Sequence, residues 1–363
     1  MIVYATSLIA GGFCLTVLFT ALARRLAFRM ELVARPRTDR HHRTTVPLGG
    51  GIALFGTLFL TLALPLLAIQ VPDLPASVSQ LMDRSNIQWD DVRARSNELW
   101  VLLLCITSLF VLGLCDDRRG LAPGLKLIVQ FCVAGMAAAW AEIRVEFFIE
   151  SQWVTVPLSA LWIVLLVNVF NFLDNMDGAC AGIAAVVSSI LFVGAVTSGQ
   201  ILVGGLTLVF VGALLGFLLF NFPPARIFMG DAGSLIVGFL VAVFSVRTTY
   251  YQEALSGTWY HVLIPLIALA VPLYDFVSVM ALRLRQGKSL FVGDTQHFSH
   301  RLKRHGLTDT QTVLTLYLAT LCTGLGATFL YQVDLAGAIL IFVQTVMVLA
   351  LIAIFESNVR QDT

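Results

Sequence analysis

Long apolar runs, each about the length of a membrane-spanning helix, repeat along almost the whole of this 363-residue chain. A helix needs about 17 to 25 mostly apolar residues to cross the hydrocarbon core of a bilayer. Charged residues make up only 12% of the chain, and they cluster between these runs. A soluble domain usually carries about twice that share. The sequence therefore predicts an all-α integral membrane protein, built as a polytopic bundle.

We predict about eleven transmembrane helices in one polytopic domain, residues 1–363. The first run has no basic residues before it and is long for a signal-peptide core, so we interpret it as a retained helix. The third span is short, and the polar segment 70–99 could carry a surface helix. The approximate spans are 2–23, 49–69, 100–114, 125–141, 157–173, 180–198, 201–220, 232–248, 260–282, 312–330 and 335–355.

Basic residues predict the orientation of the chain in the membrane. Under these spans, eighteen of the 23 Lys and Arg residues fall on one side. Lys and Arg are enriched in cytoplasmic loops, so we assign this side to the cytoplasm. The N-terminus and segment 70–99 then lie outside. The C-terminus and the His-containing basic segment 283–311 lie inside.

An acidic pair and a lysine flank the loop between the third and fourth spans. Asp116 and Asp117 end the third span, and Lys126 begins the fourth. Ionisable residues next to membrane helices are costly unless solvated, paired or bound to a metal, so they are candidates for function. The alternative is a solvated loop in which both acids pair with Arg118 and Arg119.

A row of amides and carboxylates closes the fifth span. Asn168, Asn171, Asp174 and Asp177 recur every three residues. On a helix each neighbouring pair would share a face, although the row drifts around the axis. Their oxygens suit a hard cation or a nucleotide. An ordinary polar helix end is the alternative.

Small residues surround Asp231 at the start of the eighth span. They would let a ligand approach backbone N–H groups, and a helix N-terminus favours anions. Ordinary N-capping is the alternative. A similar ambiguity holds for Gly49-Gly50-Gly51, which follows a basic run: it could hold a phosphate or form a flexible helix start.

The last basic segment contains His297, His300 and Arg301. These residues could form a metal pair, a cationic phosphate-binding patch or an ordinary basic cytoplasmic loop. Together with the acidic motifs, they place five polar motifs on one predicted membrane face. Such a face suits two phosphorylated substrates and a divalent cation.

The stretches VPLGGGIAL, GLCDDRRGLAPGLKL, NVFNFLDNMDG, FNFPPARIFMGDAGSLIVG and HFSHRL, in this order, resemble those of the polyprenyl-phosphate N-acetylhexosamine-1-phosphate transferases. This resemblance implies ten or eleven helices around a cytoplasm-facing cleft, in a bacterial cytoplasmic membrane. It also implies a Mg²⁺ cofactor, with Mn²⁺ as the alternative.

The same resemblance assigns roles to individual residues. The acidic pair would take a proton from the lipid phosphate or orient it for direct attack on the donor, or it would form a covalent aspartyl-phosphate intermediate. The implied sets are catalytic Asp116, Asp117, Asp174 and Asp177; substrate-binding Lys126, Asn168, Asn171, His297, His300 and Arg301; and metal-ligating Asp231, with Asp174 as the alternative ligand.

The implied partners are a UDP-N-acetylhexosamine, undecaprenyl or another polyprenyl phosphate, and the lipid bilayer. The implied reaction would be the first membrane step of cell-envelope polysaccharide synthesis. We expect no nucleic-acid partner, and a homodimer is left open. The H-x-x-H pattern of the last loop, without adjacent histidines, argues against a phospho-MurNAc-pentapeptide translocase. A secondary transporter would place its ionisable groups near the bilayer midplane instead.

Overall fold

Nearly every described element of this chain is a helix. The computed structural model describes residues 2–29, 33–34, 46–71, 89–145, 149, 151–248, 259–289 and 297–357. The long helices are α1 (Ile2–Arg29), α2 (Gly50–Ala68), α4 (Ser96–Arg119), α5 (Pro123–Trp140), α6 (Gln152–Leu173), α7 (Ala179–Thr197), α8 (Ile201–Asn221), α9 (Asp231–Arg247), α11 (Ala270–Arg285), α13 (Asp309–Phe329) and α14 (Leu335–Ser357).

Shorter elements connect these helices. They are the helices α3 (Trp89–Ala94), α10 (Ile264–Ala268) and α12 (Phe298–Arg304), and the 3₁₀ turns Trp259–Leu263 and Leu330–Gln332. Strands β1 (Val33–Ala34) and β2 (Val46–Pro47) pair antiparallel. Helix α3 lies within segment 70–99, for which a surface helix was expected. Residues 72–88 of that segment lie outside the described residues.

The all-α polytopic fold is confirmed, and every predicted span coincides with helix. Nine helices of the described residues are long and apolar enough to cross a membrane, and the pair α10–α11 would be a tenth. Helix α9 has 17 residues, near the lower limit for a span. The number of helices that cross the bilayer stays a prediction.

Two predicted spans have the wrong extent. The third is not short: α4 runs for 24 residues, so the acidic pair lies on its last turns and not in a loop. The ninth is not continuous, because α10 and α11 meet at a bend of 65°. Pro272 explains the bend, since it has no N–H to donate to the carbonyl of Ala268 four residues earlier.

Helix α9 forms the centre of the bundle. It packs against α2, α4, α6 and α7, and every residue from Ala232 to Ser245 is buried. A helix that is apolar or small on all sides fits such an enclosed position. The N-terminus of α9 therefore lies where several other helix ends meet.

Candidate active site

Four helix ends bring the polar motifs to one end of the bundle. The chain leaves α4 and enters α5 through the three-residue connection Gly120–Ala122, so the end of α4 and the start of α5 are neighbours. The C-terminus of α6 and the N-terminus of α9 lie at the same end, as the contacts below show. The predicted polar motifs of these four helices therefore converge.

Lys126 joins two carboxylates that are far apart in sequence. Its Nζ lies 2.5 Å from Oδ2 of Asp116 and 3.1 Å from Oδ2 of Asp231. The other oxygen of Asp116 accepts the N–H of Leu121 at 2.6 Å. The acidic pair was expected to pair with Arg118 and Arg119 if it was an ordinary loop. Asp116 instead pairs with Lys126 and points to the start of α9.

Asp117 binds the first turn of α9 directly. Its two oxygens accept the N–H groups of Asp231 and Ala232 at 2.9 and 3.1 Å. Gly230 makes this approach possible, because a Cβ there would lie 2.7 Å from Oδ2 of Asp117. Gly230 also has φ +69°, a value that favours glycine. The carboxylate of α4 thus caps α9, while the side chain of Asp231 stays available for other groups.

Asn171 completes the contacts of Asp231. Its Nδ2 lies 3.0 Å from Oδ1 of Asp231 and 2.9 Å from Oγ of Ser234. Asn168, one turn earlier on α6, instead donates to Oε1 of Gln130 on α5 at 2.7 Å. The predicted row therefore divides: Asn171 joins the aspartates, and Asn168 binds between helices α5 and α6.

Asp174 and Asp177 lie beyond the end of α6, so the four-residue row is not one helix face. Burial first, and then the negative charges of Asp231 and Asp117, raise the pKa of Asp174 well above its usual value. Oδ2 of Asp177 accepts the N–H of Ala225 at 2.8 Å. Asp174 thus joins Asp116, Asp117 and Asp231 in one group, the aspartate cluster. Asp177 holds the turn before α9.

The glycines of α2 and α4 let these helices approach the start of α9. A Cβ on Gly51 would lie 2.5 Å from the backbone N of Gly233, and a Cβ on Gly113 would lie 2.5 Å from Cα of Ala232. The N–H of Gly51 donates to the carbonyl of Met229 at 2.9 Å. The glycine motif at the start of α2 therefore allows this helix to pack closely against the start of α9. Its basic run, at 35–45, lies outside the described residues.

The last-loop residues His297, His300 and Arg301 form a second polar group, the histidine cluster. The His297 ring meets Phe172 of α6 edge-on, with centroids 5.7 Å apart, and the rings of His297 and His300 are 6.4 Å apart. Arg301 is buried and donates to Oγ of Ser278 at 2.7 Å. Arg301 is therefore not part of a solvated basic loop. Residues 290–296 lie outside the described residues.

One helix end connects the two clusters. Ser299 donates to Oδ1 of Asn175 at 2.6 Å, and Asn175 directly follows Asp174. Phe172 directly follows Asn171 and contacts His297. The last turn of α6 and the residues after it therefore contact the aspartate cluster on one side and the histidine cluster on the other.

The donor atoms of the aspartate cluster suit a hard cation. Asp116, Asp117, Asp174 and Asp231 supply carboxylate oxygens, and Lys126 is the cation that contacts two of them. Within the described residues, no three His, Cys, Asp or Glu side chains are grouped so as to hold a metal ion. Mg²⁺ commonly uses only one or two carboxylates together with phosphate oxygens, so the residues fit that ion when a phosphate is bound.

Several residues of the site were not predicted from sequence. Gln130 and Asp275 lie within apolar helices, and an ionisable or amide side chain there is itself a signal of function. Ser234, Asn175 and Ser299 gave no signal, because small polar residues are common at helix ends. Their positions follow only from the packing of the helices.

Comparison with known proteins identifies relatives over most of the chain. The sequence model described as glycosyl transferase family 4 matches residues 99–249, which hold the aspartate cluster. A "Probable undecaprenyl-phosphate N-acetylglucosaminyl 1-phosphate transferase" of Bacillus subtilis is 31% identical over 84% of this chain and 79% of its own.

Two further relatives have similar names. The "Decaprenyl-phosphate N-acetylglucosaminephosphotransferase" of Mycobacterium leprae is 29% identical over 90% of this chain and 84% of its own. The "Undecaprenyl-phosphate alpha-N-acetylglucosaminyl 1-phosphate transferase" of Salmonella typhi is 27% identical over the same shares. Each of the three is named for the transfer of a phosphorylated N-acetylglucosamine unit and for a polyprenyl phosphate.

Proposed function

The chain belongs to glycosyl transferase family 4, and we propose that it transfers a sugar 1-phosphate, an N-acetylhexosamine 1-phosphate, from a UDP-sugar to a polyprenyl phosphate. The products are a polyprenyl-diphosphate sugar and UMP. The multi-pass membrane architecture supports a lipid acceptor, because the acceptor's polyprenyl chain partitions into the bilayer. The names of the three relatives support the polyprenyl phosphate acceptor and the phosphorylated N-acetylglucosamine unit that is transferred.

One observation carries this proposal: Lys126 bridges Asp116 and Asp231, while Asp117 and Asn171 hold the same helix start. Five polar groups from four helices thus meet at one end of an apolar bundle. A bridging lysine can neutralise phosphate oxygens as well as carboxylates. A site of this kind suits phosphoryl transfer at the membrane surface.

The reaction forms one bond and breaks one. An oxygen of the lipid phosphate attacks the β-phosphorus of the UDP-sugar, and the bond from that phosphorus to the bridging oxygen breaks. The electron pair leaves with UMP. Catalysis of such transfers consists mostly of positioning and of stabilising the charge that develops. Lys126 supplies positive charge at this place, and Asn171 holds the carboxylate of Asp231 in one orientation.

We propose Mg²⁺ as the cofactor, with Asp231 as its ligand and Asp174 as the alternative. The bound ion would neutralise the charge of the diphosphate. Asp231 is suited to this role because its backbone N–H is capped by Asp117 and its carboxylate faces Lys126 and Asn171. These contacts involve three carboxylates, those of Asp116, Asp117 and Asp231, and one cation, Lys126. An additional positive charge would therefore stabilise the group.

The other two functions receive less support. All three relatives described above are named for N-acetylglucosamine phosphate transfer, which disfavours a phospho-MurNAc-pentapeptide translocase. A secondary transporter requires a central site between broken helices. Here the four aspartates that meet around Lys126 and the start of α9 lie at helix ends, away from the bend between α10 and α11.

The test is a transfer assay with purified protein in detergent. The protein is incubated with undecaprenyl phosphate, Mg²⁺ and one UDP-sugar at a time: UDP-GlcNAc, UDP-GalNAc or UDP-glucose. We expect UMP release and a lipid diphosphate sugar, detected by mass spectrometry, with an N-acetylated donor. Release of UMP without the lipid product, or no release with any donor, would overturn the proposal.

A further inference from the structure

A buried carboxylate outside the aspartate cluster has no role in the reaction described above. Asp275 lies in the first half of α11 and is 2% exposed. A charged side chain in such a place is costly unless hydrogen bonds and opposite charges compensate it. Its partners therefore show what it does.

Among the described residues, the partners of the Asp275 side chain lie at the start of α12. Oδ1 accepts the N–H of Phe298 at 2.6 Å, and Oδ2 lies 3.1 Å from Nδ1 of His297. The guanidinium of Arg301 lies 3.9 Å from Oδ1. A carboxylate can only accept hydrogen bonds, so the contact with His297 requires the proton on Nδ1. The remaining ring nitrogen, Nε2, is then the one that can act on a ligand.

The end of α6 links His297 to the aspartate cluster. Its ring contacts Phe172, which follows Asn171, and Ser299 binds Asn175, which follows Asp174. The guanidinium of Arg283 lies 5.1 Å from the centre of the Phe172 ring. Among the described residues, the surroundings of His297 therefore contain Arg283, Arg301, His300 and the carboxylate of Asp275.

We propose that Asp275 is a positioning residue for His297: it fixes the orientation and tautomer of the ring so that Nε2 serves the phosphate groups of the nucleotide sugar. This inference rests on the proposed transfer reaction. Asp275 also connects α11 to α12 through the N–H of Phe298, and α12 in turn contacts the residues after α6. The same carboxylate thus fixes the orientation of the His297 ring and the position of the helix that follows it.

The rival explanation is that Asp275 only caps α12. The two explanations differ in how Asp275 and His297 depend on each other. If Asp275 acts through His297, most of the effect of removing its charge disappears when the imidazole is absent, and only the loss of its contact with the α12 backbone remains. If it only caps a helix, the loss is the same with or without the imidazole. A double-mutant cycle separates these cases.

The experiment measures kcat and KM for UDP-GlcNAc by UMP release in Asp275→Asn, His297→Ala, the double variant and the unsubstituted protein. We expect Asp275→Asn to lower kcat/KM about 10- to 100-fold, as for other residues that orient a functional histidine. In the His297→Ala background the further loss should be under about threefold, within the usual error of additivity. An equal loss in both backgrounds would overturn the inference.

Two further variants control for folding. Asp309→Asn removes the carboxylate that pairs with Lys303 of α12 at 2.5 Å, and it should leave kcat/KM unchanged. If Asp275→Asn is not inserted, Asp275→Glu takes its place in the same cycle. An unsubstituted protein that releases no UMP contradicts the transfer reaction itself. An active protein with an additive cycle contradicts only the role of Asp275.

Discussion

Asp231 is the residue on which most contacts of the aspartate cluster converge. Its carboxylate oxygens contact Asn171 and Lys126, and its backbone N–H binds Asp117. Because Asp117 caps the helix, the side chain of Asp231 is not needed for capping. The alternative of ordinary N-capping by Asp231 is therefore not supported, since the N-cap is Gly230, and the carboxylate of Asp231 can contact a ligand.

We predict that Asp231→Asn lowers kcat at least about 100-fold, the size expected when a charge-stabilising group is removed from an active site. The protein should still be extracted and melt normally, because the amide has nearly the same shape. Asp334→Asn is the matched control, since Asp334 is exposed at the opposite end of α13. Near-normal turnover of Asp231→Asn at low Mg²⁺ would remove the metal role from this residue.

Asp174 gives the site a predicted dependence on pH. Its raised pKa means that it holds a proton at a pH where most carboxyls are ionised. A protonated carboxyl must lose this proton to bind a cation, so metal affinity should increase as pH rises. We expect the Mg²⁺ concentration for half-maximal rate to fall with rising pH.

The check is a series of Mg²⁺ titrations at several pH values for the unsubstituted protein and for Asp174→Asn. The variant should show a weaker dependence of Mg²⁺ affinity on pH. Asp309→Asn, at an exposed carboxylate outside the cluster, should keep the full dependence. An unchanged dependence in Asp174→Asn would mean that another group exchanges the proton.

Asp117 was predicted to take a proton from the lipid phosphate or to orient it, with a covalent aspartyl-phosphate route as the alternative. In the structure both of its oxygens accept backbone N–H groups of α9. We therefore expect Asp117→Asn to reduce the rate by a similar factor at every pH, because it loosens the start of α9. An initial-rate series across pH tests this. Recovery at high pH would support a base, and a trapped phosphorylated enzyme would support a nucleophile.

Sequence reasoning found most polar residues of the site but not their partners. Asp116, Lys126 and Asp231 stand out because they border apolar helices. Their contacts depend on how each helix is rotated about its axis, which the spacing along one chain does not determine. Asp275 was missed although it stands in an apolar span, because the prediction relied on motifs near the span ends.

At the scale of helices, small residues determine how closely α2 and α4 approach α9. Gly113→Ala would place a methyl group 2.5 Å from backbone atoms of Ala232, which cannot move away as a flexible side chain can. We expect a loss of about 1 to 3 kcal/mol of stability from this overpacking. Because Asp117 lies one turn later on α4, kcat should fall too.

Gly135→Ala on α5 is the matched control. A Cβ at this position meets no atom within 4 Å, and alanine favours a helix by about 1 kcal/mol over glycine. Gly135→Ala should therefore keep or raise the melting temperature in detergent and leave kcat unchanged. Equal melting temperatures and rates for both variants would show that close packing at Gly113 does not position the site.

Helix existence was predictable from the apolar runs, whereas helix ends were not. Helix α4 extends past its apolar core to Arg119, since charged residues continue a helix once they reach water. Helix α6 ends at Leu173, although polar residues of the predicted row continue to Asp177. The bend before α11 follows from Pro272, which the apolar pattern alone did not reveal.

At the scale of the whole molecule, the two ends of the bundle differ in composition. The aspartate and histidine clusters lie at the end where α6 terminates. Trp140, Trp153 and Trp259 lie at the opposite end and are 68%, 92% and 57% exposed. Exposed tryptophans are typical of the boundary between membrane and water. The tryptophans mark one boundary, and the site lies near the other.

We predict that the site end faces the cytoplasm, because eighteen of the 23 basic residues fall on that side. To test the orientation, one cysteine is added in each variant, and a membrane-impermeant maleimide is applied to intact cells. Ser151→Cys, exposed at the tryptophan end, should be labelled from outside. Ser289→Cys, exposed at the site end, should be labelled only after the cells are opened.

The unsubstituted protein controls for the six native cysteines, four of which are exposed on the bundle. Transfer activity of both variants shows that the labelled protein is correctly assembled. Labelling of Ser289→Cys in intact cells would reverse the orientation. It would also place the UDP-sugar site outside the cell. The labelling pattern thus decides from which side of the membrane the donor reaches the aspartate cluster.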